Sequence, residues 1–229
     1  MKQNRDFLIL GVTGGAGSGK TTVVEQIQKL VPTVFLHCDV IAHQLMEPGG
    51  ASYEVLIKEF GEKILEDVPE AEASGAGEQV LRPISRPKLS QAAMATAESR
   101  KRLNELTHPL VQQAVEAELE RLSKEKFCGV VVVEAALLIE AGFQKICDEL
   151  WYVYAPLLDR IRRMKEKRGY SDDKIVNILA GQLREAEFRA HADAVIENPN
   201  REKSEAVELL SKQIAVLLKD YVESTDKMW

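Results

Sequence analysis

Cysteine is scarce: Cys38, Cys128 and Cys147 are an odd, scattered set in 229 residues, with neither the paired spacing of a zinc site nor a disulfide framework. They are expected to be buried free thiols. No apolar run approaches the length of a bilayer span. The stretch Met1 to Asp6 is polar and leads straight into a strand, which predicts no signal peptide and a cytoplasmic protein. Basic residues are outnumbered, 30 Lys and Arg against 36 Asp and Glu, and the net charge of −6 argues against a general nucleic-acid or membrane-surface role. Any anionic ligand must therefore be met by a local basic cluster. There is no internal repeat. What is present is an ordinary globular composition, 45% hydrophobic and 29% charged, long enough for a core domain with lobes attached.

The chain is organised around Gly14-Gly15-Ala16-Gly17-Ser18-Gly19-Lys20-Thr21, which fits G-x-x-x-x-G-K-[ST], the phosphate-binding P-loop. Glycines at these places let successive backbone N–H groups point into one cavity at a helix N-terminus, where they cradle phosphates. Lys20 reaches the β- and γ-phosphates, and the Thr21 hydroxyl can hold Mg²⁺. The context suits the motif. Phe7-Leu8-Ile9-Leu10-Gly11-Val12 reads as a buried strand before it, and Val23, Ile27 and Leu30 mark one face of a helix after it.

Next, Thr33 to Cys38 is a second strand with Asp39 at its carboxyl end. Position alone leaves two roles open for Asp39: a place on the ligand rim of a parallel sheet, or the N-cap of a helix from Val40 to Met46. A short helix follows, with Tyr53, Leu56, Ile57 and Phe60 on one face and Gly61 as its stop. Glu66 to Pro83 is acidic, small and periodless, and reads as a mobile surface loop without chemistry. Helical patterning runs from Pro87 to about Leu106 and again from Pro109 to about Leu122, Pro109 being read as a helix start. His108 is open to a ligand contact or a structural place at that start. Phe127 to Glu134 is a strand apolar on both faces, and Glu134 at its end is open to holding Mg²⁺ or its waters, or to facing solvent. Leu150 to Tyr154 is the next strand, and Pro156 begins a helix.

That helix carries Arg160, Arg162, Arg163, Lys165, Lys167 and Arg168 before Gly169, the densest basic cluster in the chain. Such a cluster serves either a phosphoryl-transfer transition state or a solvated face. With a second helix capped by Ser171 and reaching Gln182, it has the composition of a lid that closes over ATP. Ala194-Val195-Ile196 is a final strand, and Glu202 to about Val222 a closing helix. Alternating strands and helices predict an α/β fold with a doubly wound, mostly parallel sheet, an inserted helical lobe and a helical lid. The expected core is residues 1–50 with 126–157 and 192–229, the lobe 51–125 and the lid 158–191. The strings N-K-x-D and D-x-x-G of signalling GTPases do not occur.

From about Leu8 to Tyr221 the chain resembles the dephospho-coenzyme A kinase family. The resemblance is carried by Thr13 to Thr21, Cys38-Asp39-Val40-Ile41-Ala42-His43, Glu47-Pro48-Gly49, His108-Pro109-Leu110, Leu137-Leu138-Ile139-Glu140, Gln182, and Ala192 to Asn198. It implies transfer of the ATP γ-phosphoryl group to the ribose 3′-hydroxyl of dephospho-CoA, the last step of coenzyme A biosynthesis. It further implies ATP on Gly15, Ala16, Gly17, Ser18, Gly19, Lys20, Thr21, Thr22 and Asn198, with Mg²⁺ at Thr21. Asp39 falls on the second aspartate of the family's D-A-D motif, expected to accept the hydroxyl proton, and is paired with Lys20 as catalytic. Dephospho-CoA is expected on Asp39, His43 and His108, and the lid residues are Arg160, Arg163 and Lys167. A monomer or weak homo-oligomer is expected, with no nucleic-acid or membrane partner. The sequence departs from the family at His37, where the first aspartate of D-A-D is usual, at Ala136 in place of proline, at Lys167 in place of arginine, and at Phe188, where a basic residue is common.

Overall fold

The computed structural model describes residues 5–67, 81–135, 137–199 and 203–219. Most of the acidic loop (residues 68–80), together with Ala136 and the end predicted for the closing helix (220–222), lies outside them. In chain order the elements are β1 Phe7–Thr13, α1 Lys20–Leu30, β2 Thr33–His37, α2 Cys38–Leu45, α3 Tyr53–Phe60, α4 Arg86–Met94, α5 Ala97–Lys124, β3 Gly129–Glu134, β4 Glu149–Tyr154, α6 Leu157–Arg168, α7 Asp172–Ala180, α8 Glu185–His191, β5 Ala194–Glu197 and α9 Lys203–Leu217. The chain divides into two compact units, residues 1–37 with 121–229, and residues 38–120.

The first unit is built on a five-stranded sheet in the order β2-β3-β1-β4-β5, every neighbouring pair parallel. Parallel strands covered on both faces are apolar on both, and β3 shows it: Val130, Val131, Val132 and Val133 are all buried. Side chains alternate between faces. Leu10, Val12, Val130, Val132, Trp151 and Val153 join one core with Val23, Val24 and Ile27 of α1 and Leu210 and Ile214 of α9. The opposite face carries Tyr152, which stacks on Phe188 of α8 with ring centroids 4.9 Å apart and planes 5° from parallel. Complete burial of one such Leu, Ile or Val contributes about 1.5–3 kcal/mol.

The stripe of α1 differs from expectation in one residue. Leu30 is 43% exposed, and Val31 is buried in its place, because the buried row follows i+4 steps through 23, 27 and 31. Phe188, where the family usually has a basic residue, is a core residue here. Its neighbour Arg189 carries the cation, lying over the Tyr154 ring at 4.9 Å and pairing with Glu185 at 2.8 Å.

The second unit gathers Tyr53, Leu56 and Phe60 of α3 with Ile64, Leu65, Ile84, Leu89 and Ala93. Leu65 and Ile84 form an antiparallel bridge that closes the base of the acidic loop. Gly61 ends α3 as expected, at φ 78°. Two sequence expectations need correction here. Pro109 starts no helix; it lies inside the continuous 28-residue α5. The break falls instead at Ala95 and Thr96, where the Thr96 hydroxyl accepts from the Ser99 N–H at 2.9 Å. Proline removes one helical hydrogen bond, and burial of Val111 and Val115 beyond it offsets that loss. His108 is therefore a helix-interior residue. The three cysteines are thiols outside any disulfide, but only Cys38 is fully buried.

Candidate active site

At the carboxyl end of the central strand β1 the chain turns through residues 14–19 and enters α1 at Lys20. Gly19 has φ 93°, left-handed backbone that a side chain disfavours, and a Cβ there would overlap the Asn198 amide. Ser18 N–H closes the loop onto Gly15 O at 3.1 Å, and the first helical bond is Val23 N–H to Gly19 O at 3.2 Å. The N–H groups before it belong to the helix N-terminus, which favours an anion. No acidic side chain occupies the first turn. Lys20 Nζ donates to Gly14 O at 2.8 Å. The Ser18 hydroxyl is buried and has no hydrogen-bond partner among the described residues, an orphan polar atom inside the cradle.

Two arginines of α6 lie over this loop. Arg160 Nε donates to Ala16 O at 2.9 Å, and its Nη2 donates to Gln182 Oε1 at 2.7 Å. Its guanidinium fills the space that a Cβ on Gly15 would need. Arg163 donates to Gly17 O and Ser18 O, each at 3.2 Å, and to Asn198 O at 3.0 Å. Asn198, at the end of β5, donates from Nδ2 to Ser18 O at 2.7 Å. These acceptors are all neutral. Burial pushes both guanidinium groups below the usual arginine range, against the opposing pull of Tyr152 on Arg160 and of Asp159 on Arg163. Two desolvated positive charges held on neutral oxygens are a site for an anion. Lys167, one turn further on, is exposed.

On the other side of β1, His37 and Glu134 stand in register at the ends of β2 and β3. His37 Nδ1 is 3.0 Å from Glu134 Oε2, and Lys20 Nζ is 3.9 Å from Glu134 Oε1. Thr21 is exposed on the first turn of α1. Among the described residues no group of three or more His, Cys, Asp or Glu side chains could hold a metal ion. The Thr21 hydroxyl, with phosphate oxygens and water, is a donor set that fits Mg²⁺, a cation that keeps several waters.

Asp39, His43 and His108 belong to the second unit. Asp39 lies one residue inside α2, which begins at Cys38, so it is a first-turn acid and not the N-cap of the helix. His43 is one turn further along the same face. Burial, with the positive charge of Arg86, lowers the His43 pKa below 6.5 against the opposing pull of Asp39 and Glu47. Burial alone lowers that of His108.

The structure thus brings Gly15 to Thr22, Asn198, Arg160 and Arg163 together, and adds Gln182 and Glu134 to them. Glu134 is legible as an acid ending an apolar strand. Gln182 is marked only by the family resemblance, because a neutral residue in a turn gives neither periodicity nor charge.

A parallel sheet with a glycine loop on its central strand, a helix opening from that loop and two arginines laid across it define a P-loop kinase. Residues 8–204 match the family described as dephospho-CoA kinase. A dephospho-CoA kinase of Geobacter metallireducens is 30% identical over 221 residues, covering 96% of this chain and 100% of that protein. One from Geobacter sulfurreducens is 34% identical over 190 residues, 83% of this chain and 89% of that one. The crystal structure of TT1252 from Thermus thermophilus superposes with a TM-score of 0.72 at 26% identity, covering 93% of this chain and 99% of that chain. The chain belongs to the dephospho-CoA kinase family. Among the described residues, no helix is long and apolar enough to cross a membrane.

Proposed function

We propose that this kinase transfers the γ-phosphoryl group of ATP to the ribose 3′-hydroxyl of dephospho-CoA, giving CoA and ADP in the cytoplasm, as a monomer or weak homo-oligomer. The single observation that carries the reading is the match of residues 8–204 to the family. The orphaned Ser18 hydroxyl and the two arginines on neutral acceptors support the placement of the triphosphate.

In this reading the backbone from Gly15 to Thr22 and the Asn198 side chain hold ATP. Lys20 leaves its contact with Gly14 O to meet the β- and γ-phosphates. Thr21 would hold Mg²⁺, which would supply neutralisation of the phosphate charge. Arg160, Arg163 and Lys167 face the charge that develops on the transferring group, in surroundings where positioned cations act most strongly. Asp39 orients the acceptor hydroxyl and takes its proton as the new bond forms. His43 and His108, both disposed to be neutral at pH 7, contact dephospho-CoA as uncharged hydrogen-bonding groups.

A coupled ADP-release assay with Mg-ATP, comparing dephospho-CoA with adenosine and AMP, tests this. Turnover selective for dephospho-CoA is expected. Preference for either other acceptor would move the protein to another substrate class, and ATP binding without any turnover would make it a regulatory nucleotide binder.

A further inference from the structure

Gln182 lies in the turn between α7 and α8, its backbone N–H bonded to Leu179 O at 3.4 Å. Its side-chain oxygen accepts two hydrogen bonds, from the Ala16 N–H at 3.1 Å and from Arg160 Nη2 at 2.7 Å. Arg160 Nε closes the ring on Ala16 O at 2.9 Å. Both polar groups of residue 16 are therefore engaged, one by glutamine and one by arginine. A guanidinium held through both Nε and Nη2 cannot rotate in its plane. Its Nη1 is the edge left to meet a phosphoryl oxygen.

We propose that Gln182 is a positioning residue for phosphoryl transfer: its side-chain oxygen joins the phosphate loop to Arg160 and fixes the direction in which that arginine presents its charge. The neutrality of the amide matters. A carboxylate at this place would neutralise Arg160 and repel the phosphates, whereas an amide oxygen orients the guanidinium and leaves its full charge for the nucleotide. The proposal rests on the reading that Arg160 meets the phosphates of ATP, and a mutant cycle separates the two.

Gln182→Met keeps the length of the side chain and removes the acceptor. It is expected to lower kcat roughly tenfold or more, the loss of a hydrogen bond to a charged group, with an unfolding midpoint close to that of the parent. Arg160→Ala is expected to lower kcat by more, on the order of 10³-fold. In the Arg160→Ala background, Gln182→Met should add less than about threefold, because the glutamine acts through the arginine. Gln182→Glu keeps the acceptor and the packing but sets a negative charge against Arg160, so kcat should stay well below the parental value and the KM for ATP should rise, a combination that simple loss of packing does not produce. A full loss on top of Arg160→Ala, or parental kcat in Gln182→Met, would overturn the role of Gln182 and leave that of Arg160 standing. Parental kcat in Arg160→Ala would overturn the reading beneath both.

Discussion

Glu134 stands between His37 and Lys20, with one carboxylate oxygen 3.0 Å from the imidazole Nδ1 and the other 3.9 Å from the ammonium Nζ. The two strand-end residues face each other because β2 and β3 pair in register at 37 and 134. Where the family usually has an aspartate, this chain therefore sets an imidazole against the acid. Glu134→Gln should lower kcat roughly ten- to a hundredfold by releasing Lys20, in the range of other losses of positioned charge. His37→Ala should cost less. The double variant should match Glu134→Gln alone, since the path from His37 to Lys20 runs through the Glu134 carboxylate. Losses that multiply would give His37 a separate role.

Asp39→Asn keeps the size of the side chain and removes its capacity to accept a proton. ATP affinity, measured by equilibrium titration, should stay within about twofold of the parent, with kcat lower by roughly 10²-fold or more, the usual contribution of a general base. An unchanged kcat would remove Asp39 from the mechanism.

Gly19→Ala puts a methyl group on left-handed backbone and against the Asn198 amide. The backbone strain alone costs about 1–2 kcal/mol. The unfolding midpoint should fall by several degrees, and the upward shift that ATP gives the parent should largely vanish, because Asn198 must leave the loop. A normal ATP-induced shift would mean that the loop tolerates the displaced amide.

His108 supplies a pH dependence whose sign is fixed. Burial lowers its folded pKa below the unfolded value of 6.5, so the unfolded chain binds more protons as pH falls through that value. The stability is fully present above pH 6.5 and is lost as pH drops towards the folded pKa. His108→Gln carries no charge in either state. Its denaturation midpoint should therefore decline less than the parent's between about pH 8 and pH 5. Parallel declines would assign the acid sensitivity elsewhere, His43 being the next group of the same sign.

The strands and the phosphate loop are legible in the sequence because they rest on local patterns: apolar runs of sheet length, glycine spacing, and helical periodicity directly after. Ser171 capping α7 and Gly61 ending α3 are legible for the same reason. Pro109 is misread because proline is a local stop signal, and the packing that carries α5 through it is tertiary. Asp39 shifts from cap to first turn because the helix starts two residues early, within the ordinary uncertainty of helix ends. Arg160 and Arg163 stand out as charge, but which members of a six-residue basic run turn inward depends on where α6 meets residues 16–18. Gln182 is marked in the sequence by the resemblance alone, since its contacts span 22 positions to Arg160 and 166 to Ala16.

The helix that opens from the phosphate loop leaves the ribosome long before its packing partner. Val23 and Ile27 share their core with Leu210, Ile214 and Leu218, and β1 takes its sheet neighbours from β3 and β4, more than a hundred residues later. In between, the ribosome makes the whole of residues 38–120, a unit with a hydrophobic core of its own. A nascent chain can therefore complete the second unit while the phosphate loop still lacks its sheet and its helix partner. The helix behind the phosphate loop gains its full set of packing partners only once the stretch around Leu218 has been made.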